Sequence, residues 1–434
     1  MSPEMIGLIG MGVLFVLLGL RLPVAFAMFA VGFVGNWILN SPQAAFSQLA
    51  SDAFSLSSKA ELVVVPLFIL MGNVATETGM SRKLYDAAYT WIGSVKGGLA
   101  SATVIACGGF AALSGSSVAS ALTIGRVSLS EMDRFKYDNR LSTGVVAAGG
   151  TLGILIPPST GFVIYALLTQ ESIGRLFLAG VLPGLLLLGM FIATISLLTH
   201  IYPEYGPAGP RTSWAEKGKA TMGAAPILLV IFLTIGGIYG GIFSPVEAAA
   251  VGAGLVILFG ALMGKLSLRL LWKAARDSVV TTATVMLILI SAYMIKTFLA
   301  LSHIPLALGH YLEGLAIPAL GVLAIMLAIY LILGCFMEGF AMMVLSMPIF
   351  FPVVQQLGID PIWFGVLVVL TLEMGLISPP VGLNVFIVKS VAPGVPLGRM
   401  FRGVAPFWVA MLITLALLVA FPQISLILPN TMIN

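Results

Sequence analysis

Charged residues are scarce in this chain of 434 residues. They make up 9% of it, whereas a soluble domain carries about 25%. Hydrophobic residues account for 59%, and the mean hydropathy is +1.09. These values exclude a soluble globular protein. The apolar runs are long and continuous rather than alternating, so the sequence predicts an all-α polytopic membrane protein instead of a membrane β-barrel.

Motifs for enzyme chemistry are also missing. The sequence contains no GxxxxGK[ST], GxSxG or HExxH pattern, so we expect no ATP hydrolysis and no intramembrane proteolysis. Cys107 and Cys335 are the two cysteines, and both fall in apolar segments, which indicates neither a disulfide nor a metal centre. The net charge of +4 includes no run of like charge, so nucleic acid is not an expected partner. The chain is therefore expected to be no enzyme and to hold no organic cofactor.

Two proline pairs inside apolar runs are the most informative feature that is present. They occur in GILIPPSTG at 153–161 and GLISPPVGLN at 375–384, and they begin at Pro157 and Pro379. Proline has no N–H and clashes with the preceding helical turn, so a helix must break there. Hydrocarbon cannot solvate the freed backbone groups, which must face protein or a wet cavity. Matched breaks of this kind are typical of the substrate and ion site of a secondary transporter.

The interval between Pro157 and Pro379 recurs along the chain. The same interval separates Pro23 from Pro245, Gly153 from Gly375, and Ser116 from Glu338. The sequence therefore predicts two repeats, at 1–200 and 223–427, joined by a cytoplasmic linker at 201–222.

An amphipathic stretch divides each repeat. Residues 81–96 and 300–315 mix charged or histidine side chains with apolar ones, and we predict that they form arm helices lying at the membrane interface. The arm helices separate a predicted scaffold from predicted transport parts. The scaffold comprises 1–80 and 223–299, and the transport parts comprise 97–200 and 316–427.

The distribution of basic residues orients the chain. When the basic clusters are placed in the cytoplasm, only Lys59, Arg175 and Lys296 of the 21 basic residues lie outside, which is the expected bias. Both ends of the interrupted segment 97–123 then lie inside, and both ends of 316–350 lie outside. We therefore predict inverted repeats with about ten spans, two re-entrant hairpins, two discontinuous helices and both termini in the periplasm.

Hydroxyl groups and glycines surround the first break. Broken helices expose carbonyl and amide groups, and carbonyl and hydroxyl oxygens suit a hard cation such as Na⁺. Ser114, Ser116, Ser117, Thr151 and Ser159 supply hydroxyls, and Gly115, Gly150 and Gly153 allow the backbones to approach. The alternative is a kinked structural hairpin whose serines bond their own helix.

The second break carries acids instead. Glu338 replaces a serine in the matching hairpin, Ser378 precedes the prolines and Asn384 follows them. An acid at membrane depth is a functional candidate, and Glu338 is expected to ligate Na⁺, carry a proton or contact a substrate hydroxyl. Glu373 is a second acid beside Gly375. An internally paired structural carboxylate is the alternative for both acids. We expect this second site to be the more sensitive to pH.

At these residues the chain resembles the large membrane subunit of tripartite ATP-independent periplasmic (TRAP) transporters. The resemblance is carried by GGTLGILIPPS at 149–159, SIGRLFLAGVLPG at 172–184, GID-P-WFG at 358–365 and GLISPPVGLNVF at 375–386. It implies an elevator transporter of the bacterial inner membrane, driven by Na⁺. It also implies a small four-helix membrane subunit and a periplasmic binding protein as partners. The implied substrate is an organic anion, such as a C4-dicarboxylate, a sugar acid, sialic acid or a sulfonate.

The resemblance also implies site residues. Two sodium sites fall between each hairpin tip and the adjacent broken helix, where Glu338 departs from a frequent aspartate. The sodium-site residues are Ser114, Gly115, Ser116, Gly150, Gly153 and Pro157, and then Glu338, Gly339, Gly375, Ser378 and Pro379. The substrate-binding residues are Ser116, Ser117, Ser159, Glu338 and Asn384. A proton-coupled or partner-independent transporter or exporter of the same fold, and an intramembrane enzyme or structural subunit, stay open as alternatives.

Overall fold

The apolar stretches fold into helices throughout the described part of the chain, which in the computed structural model comprises residues 1–432 except 21, 306, 308–317, 336 and 338. Those residues contain no β-strand. A helix satisfies its own backbone hydrogen bonds, which is what a segment surrounded by hydrocarbon requires. The predicted all-α membrane fold is thereby confirmed.

The first half of the chain forms the helices that the sequence predicts and one further helix that it does not. In chain order they are α1 (Pro3–Gly19), α2 (Val24–Leu39), α3 (Pro42–Ser57), α4 (Val64–Glu77), α5 (Met80–Ile92), α6 (Gly98–Ser114), α7 (Ser117–Arg134), α8 (Asn139–Leu155), α9 (Thr160–Thr169) and α10 (Ile173–Ile201). Helix α3 is not among the apolar segments predicted from the sequence. Ser41 caps it through the amide of Ala44, and Pro42 occupies the first turn, a helix start that the sequence does signal.

The second half repeats much of this order. Its helices are α11 (Trp214–Tyr239), α12 (Pro245–Leu262), α13 (Leu268–Leu301), α14 (Ala319–Gly334), α15 (Gly339–Gln356), α16 (Pro361–Leu376), α17 (Leu383–Val391), α18 (Leu397–Ala420) and α19 (Gln423–Asn430). The starts of α7 and α15 are separated by the same interval as the two proline pairs, and so are the starts of α8 and α16. The halves also differ, because α13 is continuous where the first half is divided into α3 and α4.

All four predicted interruptions lie where the structure breaks its helices. Between α6 and α7 the chain turns at Gly115, and between α8 and α9 it turns at 156–159 with a bend of 40°. Helix α14 ends at Gly334 and α15 begins at Gly339, while α16 and α17 are separated by 377–382. Seven of the described helices are long and apolar enough to cross a membrane alone, and the pair α8 and α9 makes eight. The predicted count of ten spans and the inversion of the repeats stay predictions.

Helix α5 covers part of the stretch 81–96, whose role as an interfacial arm stays a prediction, and it is held by the segment after α10 and by the start of α11. Trp91 donates its indole N–H to the hydroxyl of Thr221 at 2.9 Å. The Thr212 hydroxyl donates to the carbonyl of Thr90 at 2.6 Å. Helix α11 begins at Trp214, inside the stretch 201–222 that the sequence assigns to a linker. Most of the second predicted arm, at 300–315, lies outside the described residues.

Helix α8 lies at the centre of the fold, against α6, α7, α10, α16 and α18. Its close crossing with α18 depends on two glycines, since a Cβ at Gly403 would overlap the carbonyl oxygen of Arg140, and a Cβ at Gly144 would overlap that of Gly403. Small residues allow helix backbones to approach in this way within a membrane protein. The crossing fixes the position of the helix that carries the first proline break.

Replacing Gly403 with alanine is expected to destabilise the protein by about 1–3 kcal/mol, because overpacking forces a backbone shift. The measurement is the midpoint of thermal unfolding of the purified chain in detergent. The control is Gly398→Ala on the same helix, where a new Cβ meets nothing within 4 Å. Equal midpoints for the two variants would contradict the inferred crossing.

Candidate functional site

The tip of the first hairpin is a sharp turn between α6 and α7. Gly115 ends α6 with a left-handed backbone at φ 57°, a conformation that glycine adopts without steric cost. Ser116 begins α7, and its hydroxyl oxygen accepts a hydrogen bond from the amide of Ala119 at 3.3 Å. The tip therefore ends one helix and caps the next within two residues.

This tip is fastened to the start of α9. The carbonyl oxygen of Gly115 accepts hydrogen bonds from the hydroxyl of Thr160 at 2.7 Å and from its amide at 3.4 Å. A Cβ at Gly115 would stand 2.7 Å from the carbonyl oxygen of Pro158. The first hairpin and the first broken helix therefore meet backbone to backbone.

Glycines on α8 bring that helix against the same tip. A Cβ at Gly153 would lie 2.5 Å from the carbonyl oxygen of Ser116, and one at Gly150 would lie 3.2 Å from that of Ser117. These contacts bring Ser116, Gly150 and Gly153 together with Ser117. They agree with the expectation that the two glycines allow the backbones to approach.

The proline pair leaves carbonyl groups at the end of α8 without their usual donors. Pro157 and Pro158 supply no N–H to the carbonyls of Gly153 and Ile154. The Ser159 hydroxyl donates to the carbonyl of Ile154 and accepts from the amide of Phe162. Ser159, which the sequence assigns to substrate binding, thus caps both halves of the broken helix in this structure.

The remaining hydroxyls of the tip have different partners. Ser114 and Ser120 lie with their hydroxyl oxygens 3.3 Å apart. The Ser117 hydroxyl donates to Oε1 of Glu373 at 2.6 Å. That bond joins the first hairpin to α16, in the other half of the chain.

A central cavity of about 50 Å³ lies where the two hairpins and the two broken helices converge. Its polar and glycine lining consists of Ser116, Ser117, Gly161, Gly339 and Glu373. This volume accommodates water molecules or an ion, but it is well below the roughly 300 Å³ of a small-molecule pocket. In this conformation the site is closed to an organic anion.

The second site is only partly described. Glu338 lies outside the described residues. Gly375 on α16 packs so closely against Gly334 of α14 that a Cβ would lie 2.6 Å from its Cα. The Ser378 hydroxyl donates to the Met374 carbonyl at 2.6 Å and accepts from the Trp408 indole at 2.8 Å. Ser378 and Pro379 line a separate apolar groove of about 470 Å³ and not the central cavity.

Asn384, at the start of α17, is the member of the second site that reaches the first. It is fully buried, and neither atom of its amide has a hydrogen-bond partner among the described residues. Its Nδ2 lies 3.4 Å from where a Cβ at Gly150 would stand. The predicted substrate-binding residue is therefore buried beside α8, the first broken helix, rather than exposed to a pocket.

The donor set around the first tip fits a hard monovalent cation. It consists of hydroxyl oxygens and of carbonyl oxygens at broken helix ends, which are hard ligands. The described residues contain no group of three or more His, Cys, Asp or Glu side chains that fits a metal ion. The oxygen chemistry of the tip agrees with a hard cation such as Na⁺.

A larger outer cleft, of about 770 Å³, lies at the other end of α9. We call it the outer cleft because the predicted topology places it on the outer side of the membrane. Its polar lining consists of Lys59, Glu61, Gln170, Glu171, Ser172 and Ser244. Burial raises the pKa of Glu171 above its usual range. Lys59 donates to the Tyr293 hydroxyl at 3.5 Å, and that hydroxyl donates to the Leu167 carbonyl at 3.1 Å. Helix α9 has ten residues, which at about 1.5 Å per residue span roughly 15 Å from the cleft to the central cavity.

Thr160 is absent from the prediction, and Glu373 is a candidate acid that the sequence places in neither set of site residues. Thr160 fastens the hairpin tip, and a hydroxyl two positions after a proline pair gives no sequence signal for that role. Glu373 lines the cavity and binds Ser117. Its signal in the sequence is an acid in an otherwise apolar helix, and only the fold shows that it faces the opposite repeat.

Comparison with known proteins gives consistent matches along most of the chain. Residues 11–424 match the family described as tripartite ATP-independent periplasmic transporter, DctM component. A C4-dicarboxylate TRAP transporter large permease protein of Pseudomonas aeruginosa is 39% identical over 91% of both chains. A sialic acid TRAP transporter large permease protein of Vibrio cholerae is 32% identical over 94% of this chain and 95% of its own.

One further relative and one solved structure are also similar to this chain. An ectoine/5-hydroxyectoine TRAP transporter large permease protein of Ruegeria pomeroyi is 30% identical, over 95% of this chain and 96% of its own. The crystal structure of the YdaH transporter of Alcanivorax borkumensis superposes with a TM-score of 0.62, over 87% of this chain and 88% of that one. At 16% sequence identity, this last likeness concerns the fold alone.

Replacing Thr160 with valine is expected to lower the free energy of unfolding by about 1–3 kcal/mol, because the buried Gly115 carbonyl loses its shorter hydrogen bond. Thermal unfolding in detergent measures the loss. Thr169→Val is the matched control, since the Thr169 hydroxyl bonds only the Tyr165 carbonyl within α9. If both variants unfold at the same temperature, Thr160 does not fasten the tip.

Proposed function

The chain belongs to the family of DctM components of tripartite ATP-independent periplasmic transporters, and from that premise we propose that it imports a small organic anion across the bacterial inner membrane in symport with Na⁺. The central cavity is the observation that carries the proposal. Two hairpin tips and two broken helices converge on it, and such breaks inside a membrane are maintained where they line a substrate or ion path.

The sodium ions are proposed to bind beside the two hairpin tips. Oxygens of Ser114–Ser116 and of Gly150–Pro157 form the first site, and those of Glu338–Gly339 and Gly375–Pro379 form the second. The bound ions supply positive charge to an apolar region. The chain itself contributes rigid geometry there, because the Thr160 bonds fix the Gly115 carbonyl and Gly153 admits the Ser116 backbone.

The substrate is proposed to bind at the same junction after the cavity opens. None of the described residues that line the central cavity is Lys, Arg or His. An anion therefore depends on hydroxyls and on helix N-termini, whose free amides carry partial positive charge. Helices α7, α9 and α15 each begin at or next to a residue of this lining.

Elevator movement is the mechanism we propose for that opening. The scaffold at 1–80 and 223–299 stays fixed while the transport parts at 97–200 and 316–427 carry the site across the membrane. The outer cleft lies between these two groups of residues.

Specificity and delivery are proposed to depend on partners. A periplasmic binding protein presents the anion, and a small four-helix membrane subunit supports the scaffold, with both termini of the chain in the periplasm. Relatives named for C4-dicarboxylates, sialic acid and ectoine define the first substrates to assay. A proton-coupled or partner-independent transporter of the same fold is the alternative.

Replacing Na⁺ with choline is expected to abolish uptake of labelled succinate, N-acetylneuraminate or ectoine by vesicles that contain the complete transporter. The reason is that the hairpin tips need a cation to hold their carbonyl and hydroxyl oxygens together. An inward proton gradient alone is not expected to restore uptake. Uptake driven by protons without Na⁺ would overturn the sodium assignment in favour of the proton-coupled alternative.

Gly153→Ala is expected to raise the Na⁺ concentration needed for half-maximal uptake, because the added Cβ displaces the Ser116 backbone from α8. Gly189→Ala on α10 is the control, since a Cβ there meets nothing within 4 Å. The two variants are compared over a Na⁺ titration in the same vesicles. An unchanged half-maximal concentration in Gly153→Ala would remove this contact from the first site.

A further inference from the structure

Two tryptophans and a lysine form an exposed group where the end of α5 meets the start of α11, and we call Trp91, Trp214 and Lys217 the tryptophan cluster. Nζ of Lys217 lies 5.4 Å from the ring centroid of Trp91 and 4.9 Å from that of Trp214, within the range of a cation–π contact. The two indole rings meet edge to face with their centroids 6.0 Å apart. Trp91 is 46% exposed and Trp214 is 77% exposed, so the chain leaves much of this aromatic surface uncovered.

The segments that carry the cluster have an excess of positive charge. Residues 82–96 and 211–219 contain two acids, Asp86 and Glu216, and six basic residues: Arg82, Lys83, Lys96, Arg211, Lys217 and Lys219. Five of the six basic side chains are exposed and that of Lys217 is half-buried. Neither of the two ion pairs in the described part of the chain includes any of them. Glu216 is bound to the amide and the hydroxyl of Ser213 instead, so the protein does not neutralise this surface itself.

Helix α11 shows how deep the cluster lies relative to the membrane. The helix is long and apolar enough to cross a bilayer. Its exposed Phe232 follows Trp214 by about five helical turns, so both lie on one face together with the exposed Met222. Lys217 precedes Met222 by roughly 8 Å along the helix axis, and the headgroup layer on each side of the hydrocarbon is roughly 5–8 Å thick. The cluster therefore lies at the depth of the lipid headgroups.

This combination of groups fits a phospholipid with a negatively charged headgroup. Indole rings are enriched at the boundary between hydrocarbon and water, and basic side chains beside a membrane helix attract anionic lipids. The apolar face of α11 continues into the cluster. A lipid matches both parts, because its acyl chains cover the apolar face and its headgroup meets the basic groups. An acidic soluble protein would match the basic groups alone.

We propose that the tryptophan cluster and the basic residues around it form a binding surface for anionic phospholipid headgroups. The surface joins α5 and α11, because the Trp91 indole N–H donates to the Thr221 hydroxyl and the Thr212 hydroxyl donates to the Thr90 carbonyl. A lipid bound here therefore fastens both elements to one leaflet. Neither Na⁺ nor a transported anion takes part, so the inference does not rest on the proposed function.

Fluorescence quenching by brominated lipids tests the proposal. The purified full chain is reconstituted in vesicles of phosphatidylcholine and phosphatidylglycerol, in which an equal amount of one lipid or the other is brominated. The emission of Trp214 is the difference between the wild type and Trp214→Phe. Brominated phosphatidylglycerol is expected to quench it more strongly than brominated phosphatidylcholine. Equal quenching by the two lipids overturns the proposal, and so does quenching by neither, which would place the cluster outside the bilayer.

Trp37 on α2 is the matched control for this measurement. It is also partly exposed, but residues 22–58 around it contain no Lys or Arg. The difference between the wild type and Trp37→Phe is expected to show equal quenching by the two lipids. A preference for phosphatidylglycerol at Trp37 as strong as that at Trp214 would reveal a general attraction to the protein and overturn the assignment to this surface.

Substitution of basic residues tests the charge without altering the cluster. Arg211→Gln combined with Lys219→Gln is expected to lower the preference for phosphatidylglycerol at Trp214 by about fivefold or more, since each basic group near an anionic surface contributes about that factor. Arg399→Gln combined with Arg402→Gln is the control, because it removes the same charge from exposed positions on α18. Equal effects of the two pairs, or no effect of the first, would contradict the proposed surface.

A salt titration of the wild type gives the same test without any substitution. Dissolved ions screen exposed charges, so raising the salt concentration is expected to weaken the preference for phosphatidylglycerol at Trp214. A preference that does not change with salt would overturn the proposed role of the basic side chains.

Discussion

The whole arrangement depends on one constraint, which is that backbone carbonyls freed by proline must find donors inside an apolar protein. The two breaks meet it with the same type of residue. Ser159, just after the first proline pair, donates its hydroxyl to the Ile154 carbonyl, which Pro158 leaves without a donor. Ser378, just before the second pair, donates its amide at 3.0 Å to the Gly375 carbonyl, which Pro379 leaves without a donor. Each serine thereby satisfies a carbonyl at the end of its helix, and the remaining carbonyl oxygens at the break stay available as ligands.

Glycines beside these breaks allow close backbone contacts, but the contacts have different partners in the two halves. Gly153 allows close contact with the tip of the first hairpin. Gly375, the equivalent position in the second half, instead allows close contact with Gly334 at the end of α14. The first tip is consequently fastened to its break through Thr160. At the second break, Ser378 is turned toward Trp408 and a separate apolar groove. Equivalent glycines of the two halves are therefore packed against different partners.

The sequence predicted the helical class, the four breaks and the glycines of the first site, because each of these follows from local chemistry. Proline removes a donor, glycine removes a side chain, and both effects can be read at a single position. The roles of Thr160 and Glu373 are not local. They depend on which elements meet in three dimensions, and a constant interval between the repeats predicts equivalent elements without predicting that an acid of one half bonds a serine of the other. Helix α3 was missed for a different reason, since its polar composition hides it from a search for apolar runs while its cap at Ser41 and Pro42 is visible.

The contacts across the repeats bear on how ions and substrate influence one another. Glu373 bonds Ser117, and Asn384 lies beside Gly150, so side chains of the second broken helix form part of the wall around the first hairpin. A ligand that shifts this hairpin must also change the surroundings of α16 and α17, because interiors packed this closely do not deform continuously. Differential contact with the open and closed forms is what allows a ligand to shift their populations. The shared wall supplies such contacts to both halves at once. Under the proposed function, it gives a physical route by which a cation bound at one hairpin would bias the closure of the other.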